Sequence, residues 1–279
     1  PVSVQAMEMA IKKAESYDVG IVCVRNSHHF GAAGYYAEIA ARQGFIGIVT
    51  TSTRGISMVP TRGTQPVLGT NPFAFAAPAG KYDPLVLDFA TTVAAVNKVK
   101  VRKLRELQLP DGWVNDGDGR TIFDPNEAIR IFENKSFGGL NPVGGIGETL
   151  GGHKGYGLAV FSHILSGAMP GASFSPVRVK NSNADTPDDL GHYFQAINPE
   201  SFRTKEEYEN DIEVVIETLR SVKPSDPDKP VLVPGEPEQI SRKDRQKNGI
   251  PVNRNLRNLI KEIAQNAGVE YFLVDNTTP

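Results

Sequence analysis

From its first residues the chain alternates two hydrophobic periods that cannot belong to the same kind of element. Val4, Met7, Ala10, Ile11 and Ala14 recur at helical spacing, and the β-branched run Ile21-Val-Cys-Val24 that follows reads as a buried strand. The pattern then repeats: Ala32 to Arg42 is helix-like, Gly44 fits just past its end, and Phe45 to Thr51 reads as a second buried strand. Helix and strand alternating at this pace specify an α/β layer structure. Cys23 lies inside the first strand run and is the single cysteine of 279 residues. An intramolecular disulfide is therefore impossible, a reducing compartment is the natural home, and the residue reads as a small buried hydrophobe.

Residues 52 to 72, rich in Thr, Ser, Arg, Gly and Pro, read as a long loop that carries function. Two short strands follow, Phe73 to Ala77 and Leu85 to Phe89. The stretch Asp111 to Gly119 is turn chemistry, and residues 138 to 157 are dense in glycine. Gly155 to Ala168 then reads as a helix with Leu158, Phe161, Ile164 and Leu165 on one face. Thr204 with Glu207 three positions on is a capping box, which opens an amphipathic helix to about Val222. A Pro-rich crossing, Lys223 to Pro237, leads to a charged run from Arg242 to Lys247 that reads as a solvated helix face, and a last helix uses Leu256, Leu259, Ile260 and Ile263.

Charge narrows the partners. Lys and Arg total 30 against 32 Asp and Glu, so there is no basic field to hold nucleic acid or an anionic membrane surface. Runs such as Phe45 to Val49 fall far short of the roughly 20 apolar residues of a membrane span. Glu8, Lys12 and Lys13 interrupt the first helical stretch, which speaks against a signal peptide, and the cytoplasm is the expected location.

Three constellations could carry chemistry. Asn26-Ser-His-His-Phe-Gly31 lies between a strand and the start of a helix, where α/β sheets place ligands. An anion there would meet the Gly31 and Ala32 amides, and a histidine at that edge suits general acid/base work. Capping by one histidine and packing by the other is the plainer alternative. Gly151-Gly-His-Lys-Gly-Tyr-Gly157 also precedes a helix, so its amides and Lys154 could approach an anionic group, or it could be a tight connection. It departs from a P-loop, and Gly145-Ile-Gly147 has Leu150 where a dinucleotide fingerprint needs its third glycine. Asp88, near a strand end in Leu87-Asp-Phe-Ala-Thr-Thr92, could bind a ribose hydroxyl or a histidine, or cap a helix at Thr91. The five histidines include no His-x-x-x-His pair and there is no cysteine pair, so no metal site is expected. No Gly-x-Ser-x-Gly elbow is present either.

The order of Ser27-His-His-Phe-Gly-Ala-Ala-Gly-Tyr-Tyr36, Gly69-Thr-Asn-Pro72, Leu87 to Thr92, Gly152-His-Lys-Gly-Tyr-Gly-Leu158, His192-Tyr-Phe-Gln-Ala196 and Pro234-Gly-Glu236 resembles the malate/L-lactate dehydrogenase-like oxidoreductases over nearly the whole chain. That family includes archaeal malate and sulfolactate dehydrogenases, ureidoglycolate dehydrogenase and certain cyclic imine reductases. The resemblance implies a non-Rossmann, mixed-sheet α/β fold with a helical C-terminal part, a cofactor that is NAD or NADP, a small 2-hydroxy acid or 2-oxo acid as substrate, and a homodimer. It also implies His29 as the catalytic base. Phe30 and Gly31, Asp88, Phe89, Ala90 and Thr91, His153, Lys154 and Gly155, and Pro234, Gly235 and Glu236 match segments that line the cofactor site. On this reading residues 1–222 form the cofactor-binding and catalytic domain, while 223–279 hold the crossing and the C-terminal helices, which pack with a helical domain. The family's N-terminal Ser-His-Gly stretch and following Arg have no counterpart before Val19, and the chain opens on Pro1. Truncation at the front, or substrate held by Arg25 or Arg54, would account for this. A non-catalytic nucleotide-binding homologue and an imine reductase are the alternatives.

Overall fold

The structure, a computed structural model, describes residues 1–181 and 186–273. The expected alternation is there: α1 (Val2–Tyr17), β1 (Val19–Ser27), α2 (Ala33–Arg42) and β2 (Ile46–Thr51). Next come β3 (Phe73–Ala77) and β4 (Leu85–Phe89), then α3 (Val96–Leu104), β5 (Val114–Asn115), α4 (Pro125–Asn134) and β6 (Gly139–Leu140), which share a small core around Val99, Val114 and Leu140. α5 (Gly152–His163) runs into a π-helical turn, Ile164–Ala168. It is followed by α6 (Ser175–Asn181), β7 (Leu190–Ile197), α7 (Lys205–Ser221), α8 (Glu236–Asn248) and α9 (Arg254–Ala267).

Five strands form one sheet in the order β1-β7-β2-β3-β4, and each neighbouring pair is antiparallel. Among the described residues the one parallel pairing is the isolated bridge between Met58 and Leu140. Because β7 lies between β1 and β2, those two strands run in the same direction and deliver their C-terminal ends to one edge of the sheet. α1 and α2 cover one face. Their buried positions are mainly alanines, among them Ala6, Ala10, Ala14, Ala37 and Ala40, which let the helices lie close while Met7, Ile11, Val49 and Phe194 fill the layer.

Two readings of buried positions are corrected. β1 is an edge strand whose alternate residues Val22 and Val24 pack against the α1/α2 core, which leaves Cys23 exposed on the other side. On α5 and at the start of the π-helical turn the apolar positions Leu158, Phe161 and Ile164 face outward, and the buried positions of α5 are Gly152, Gly155, Ala159 and Ser162. The helix meets backbone there: a Cβ on Gly155 would stand 2.3 Å from the Val143 carbonyl oxygen, so the inner face admits only small side chains. The stripe on α9 is also largely uncovered, with Leu259 and Ile263 exposed.

The C-terminal part reaches the sheet through α7. Ile216 and Val233 pack with Ala79, and the Val86 N–H donates to the Pro234 carbonyl at 3.2 Å, which lays the Pro-rich crossing alongside β4. The capping box is formed: the Glu207 N–H donates to the Thr204 hydroxyl, and the Glu207 carboxylate accepts from the Thr204 N–H. Thr204→Ala is expected to lower the unfolding free energy by about 1 kcal/mol, read as a lower urea midpoint at unchanged slope. Among the described residues no helix is long and apolar enough to cross a membrane.

Candidate active site

At the sheet edge where β1 ends, the chain turns through His28 to Ala32 into α2, and the two histidines part. His28 Nδ1 lies 3.2 Å from Asp188 Oδ2, in a network where Asp188 also takes Arg54 Nε at 3.3 Å and the buried Arg178 at 3.1 Å. His29 stays exposed, with Nδ1 accepting the Gly31 N–H at 3.2 Å. Phe30 turns inward. Its ring lies flat on His192, centroids 4.3 Å apart at 5°, and meets Phe194 edge-on at 6.2 Å, while its carbonyl accepts from the Tyr36 hydroxyl.

Asp88, at the end of β4, accepts the Gly34 N–H at 2.7 Å. It therefore caps a helix, but the helix is α2 and not one starting at Thr91. Loss of water around the carboxyl raises its pKa, with Glu238 adding to the rise and the Gly34 N–H opposing it. Gly34 is what permits the contact, since a Cβ there would stand 2.8 Å from the Asp88 Cβ.

Beside this pair opens a cleft of about 620 Å³, lined among others by Ala32, Gly34, Asp88, Pro234, Gly235 and Arg242. Gly34 and Tyr35 from the first turn of α2 and Pro237 and Glu238 from that of α8 line it, and neither Ala32 nor Gly235 supplies a side-chain cap to its helix. Two helix starts thus converge on one space, that of α2 already capped by Asp88. Glu38, Asp88 and Glu238 give the walls negative charge, and Arg242 is the only cation among the described lining residues.

Of the residues singled out in the sequence, Asp88, Pro234 and Gly235 come together in this cleft, and the His29-Phe30-Gly31 turn leads directly into it at Ala32. Others lie outside its lining. Glu236 uses its carboxylate within its own turn, accepting from the Val233 N–H at 2.6 Å and pairing with Arg220. Phe89 packs on Phe73, and Ala90 is half-buried beyond it. Thr91 is buried, donating to the Thr70 carbonyl and accepting the Val143 N–H at 2.9 Å. Since Val143 also seats Gly155, this links the strand exit to the first turn of α5, where His153 and Lys154 are exposed. Sequence reasoning missed Gly34, Arg242 and His192. A glycine inside the first turn of a helix was a signal for the first. Arg242 reads as one more charge of a solvated run.

The family model for malate/L-lactate dehydrogenase matches residues 1–261. A malate dehydrogenase of Pyrococcus horikoshii is 39% identical over 269 residues, covering 96% of this chain and 72% of the relative. An L-sulfolactate dehydrogenase of Methanocaldococcus jannaschii is 37% identical, covering 95% and 72%. The crystal structure of malate dehydrogenase from Entamoeba histolytica superposes with a TM-score of 0.88 at 33% identity, over 97% of this chain and 74% of that one. With the model spanning nearly the whole chain and the same fold in a solved relative, the chain belongs to the malate/L-lactate dehydrogenase family.

Proposed function

We propose that the protein is an oxidoreductase that moves a hydride between NAD or NADP and a small 2-hydroxy acid such as malate or lactate, yielding the 2-oxo acid in the oxidative direction. The observation that carries this reading is the junction of an exposed imidazole, His29, with a cleft fed by two helix N-termini. The residues present suit a dinucleotide. Two helix starts match a pyrophosphate, and Asp88 offers a carboxylate to a ribose hydroxyl. With antiparallel neighbours throughout the sheet and no Gly-x-Gly-x-x-Gly turn, the cofactor is held in a non-Rossmann manner. When bound, the nicotinamide supplies the two-electron chemistry.

The chain's own part is proton handling. Because Nδ1 accepts the Gly31 N–H, it is the nitrogen of the His29 ring that carries a lone pair. His29 takes the hydroxyl proton as the alcohol is oxidised and returns it in reduction. Lys154 and the amides of the α5 start are available to a further anionic group of cofactor or substrate.

The test is turnover. The protein is incubated with NADH or NADPH and a panel of 2-oxo acids plus a cyclic imine, and nicotinamide absorbance is followed. Oxidation with a 2-oxo acid is expected; turnover with the imine alone would make it an imine reductase. Nicotinamide binding without turnover would make it a non-catalytic homologue. In calorimetry, Asp88→Ala is expected to weaken nicotinamide binding by about tenfold, the loss of one charge-assisted hydrogen bond, and an unchanged Kd would return Asp88 to capping alone. A homodimer is part of the proposal, and the outward Leu158, Phe161 and Ile164 support it as apolar surface awaiting cover. Light scattering at working concentration should give twice the chain mass; a monomer would remove this element.

A further inference from the structure

His192 is a buried titratable group that the proposed reaction leaves unused. It is 0% exposed on β7, between β1 and β2. Its Nδ1 lies 2.7 Å from Thr51 Oγ1 on β2, and its Nε2 has no hydrogen-bond partner among the described residues. A buried imidazole that makes one well-formed hydrogen bond is more costly to place there than an apolar ring of similar size. Loss of water holds its pKa at about 4, against the pull of the His28 and Gly191 backbone and with a smaller push from His29, so the ring is neutral near pH 7.

Its position gives the cost a purpose. The turn that carries His29 has its polar contacts at the surface, between His28 and Asp188 and between Gly31 and His29. The side chain that reaches inward is Phe30, the next residue; the flat surface beneath it is the His192 ring, which the His28 backbone also faces. That ring is in turn fixed by Thr51, whose hydroxyl also donates to the Gly191 carbonyl at 3.2 Å. A continuous contact therefore runs from the centre of the sheet to the residue bonded to His29.

Resting on the reading of His29 as the proton acceptor, we propose that His192 is a positioning residue for it: a ring anchored to Thr51 that sets the pose of Phe30 and through it the direction of the His29 imidazole. A misplacement of about 1 Å in a catalytic group can cost ~10²-fold in rate, which is the scale at stake.

The experiment compares His192→Ala, which empties the stack, with His192→Phe, which restores an aromatic face without the Thr51 contact. For each folded variant, kcat, nicotinamide Kd and the NMR signal of the His29 ring are measured, the signal being assigned by its loss in His29→Gln. His192→Ala is expected to lower kcat by ~10²-fold, with Kd within about threefold and the His29 resonance moved; His192→Phe should recover to within about tenfold of wild type. A merely structural role would lower the melting temperature and leave the folded enzyme's kcat and the His29 resonance in place. A kcat within twofold of wild type, or an unmoved resonance, overturns the proposal. If the wild type turns over nothing in the panel, the enzymatic reading fails and the resonance alone decides: movement supports the positioning role, no movement ends it. If His192→Ala does not fold, His192→Leu carries the same comparison, filling the space without a flat ring beneath Phe30.

Discussion

Replacing His29 by Gln is expected to cut turnover by roughly 10²–10⁴-fold, about 2.7–5.4 kcal/mol of barrier, with nicotinamide affinity changed by less than about threefold. Gln preserves much of the shape and a polar tip, but it cannot take the proton released as hydride leaves the carbinol carbon. His28 is the internal control because the same turn gives it different work. Its Nδ1 meets Asp188, a carboxylate already engaged by Arg54 and Arg178. His28→Gln can keep a hydrogen bond to Asp188, so turnover should stay within roughly tenfold. Steady-state kinetics on both variants, with folding checked by circular dichroism, decide the matter. Near-full activity in His29→Gln with loss in His28→Gln would exchange the two assignments, and activity in both would end the proton-transfer role of this turn.

The largest stability effect is expected at Phe194. It is fully buried on β7 and lies opposite Val22 of β1 and Val49 of β2, so it packs between the edge strand and the central strand under α1 and α2. Its ring also meets Phe30 and Tyr36 edge-on, at 6.2 and 5.9 Å. Phe194→Ala removes the ring and leaves a cavity that neighbouring alanines cannot fill, which costs about 3–5 kcal/mol. For a chain of this size that lowers the melting temperature by on the order of 10 °C. Phe194→Leu should recover more than half of the loss. A loss below about 1 kcal/mol in denaturant unfolding would mean that the helices settle onto the sheet and close the cavity.

The sequence was most readable where one local rule acts alone. β3 and β4 run where short apolar stretches bounded by proline, glycine and aspartate place them, and α7 starts at its capping box because Thr204 and Glu207 satisfy each other whatever surrounds them. Reading failed where burial depends on what lies opposite. Cys23 sits in a strand run typical of an interior, yet β1 is an edge strand with one face open. α5 shows the reverse, with its bulky residues outside and its glycines, alanine and serine inside, because its neighbour is backbone at close range. In the site, the turn around His29 was legible from its place between strand and helix. The partnership of Asp88 with Gly34, 54 residues apart, was not, since nothing local in either segment names the other. Nor was the burial of His192, which depends on a strand order that no single segment contains.

That strand order also sets the timing of folding. β1 and β2 never touch each other; β1 is joined to the rest of the sheet by β7, about 140 residues downstream of β2, which a ribosome adding 5–20 residues per second supplies roughly 7–28 s later. In that interval β1 has no partner strand, and the apolar sides of α1 and α2 lack the Phe194 layer they will cover. Long-range pairing of this kind is slow and exposes sticky surface. A nascent chain halted before Leu190 therefore carries an unpaired strand and an open layer, and it is at this stage of synthesis that the protein depends most on being shielded from its neighbours.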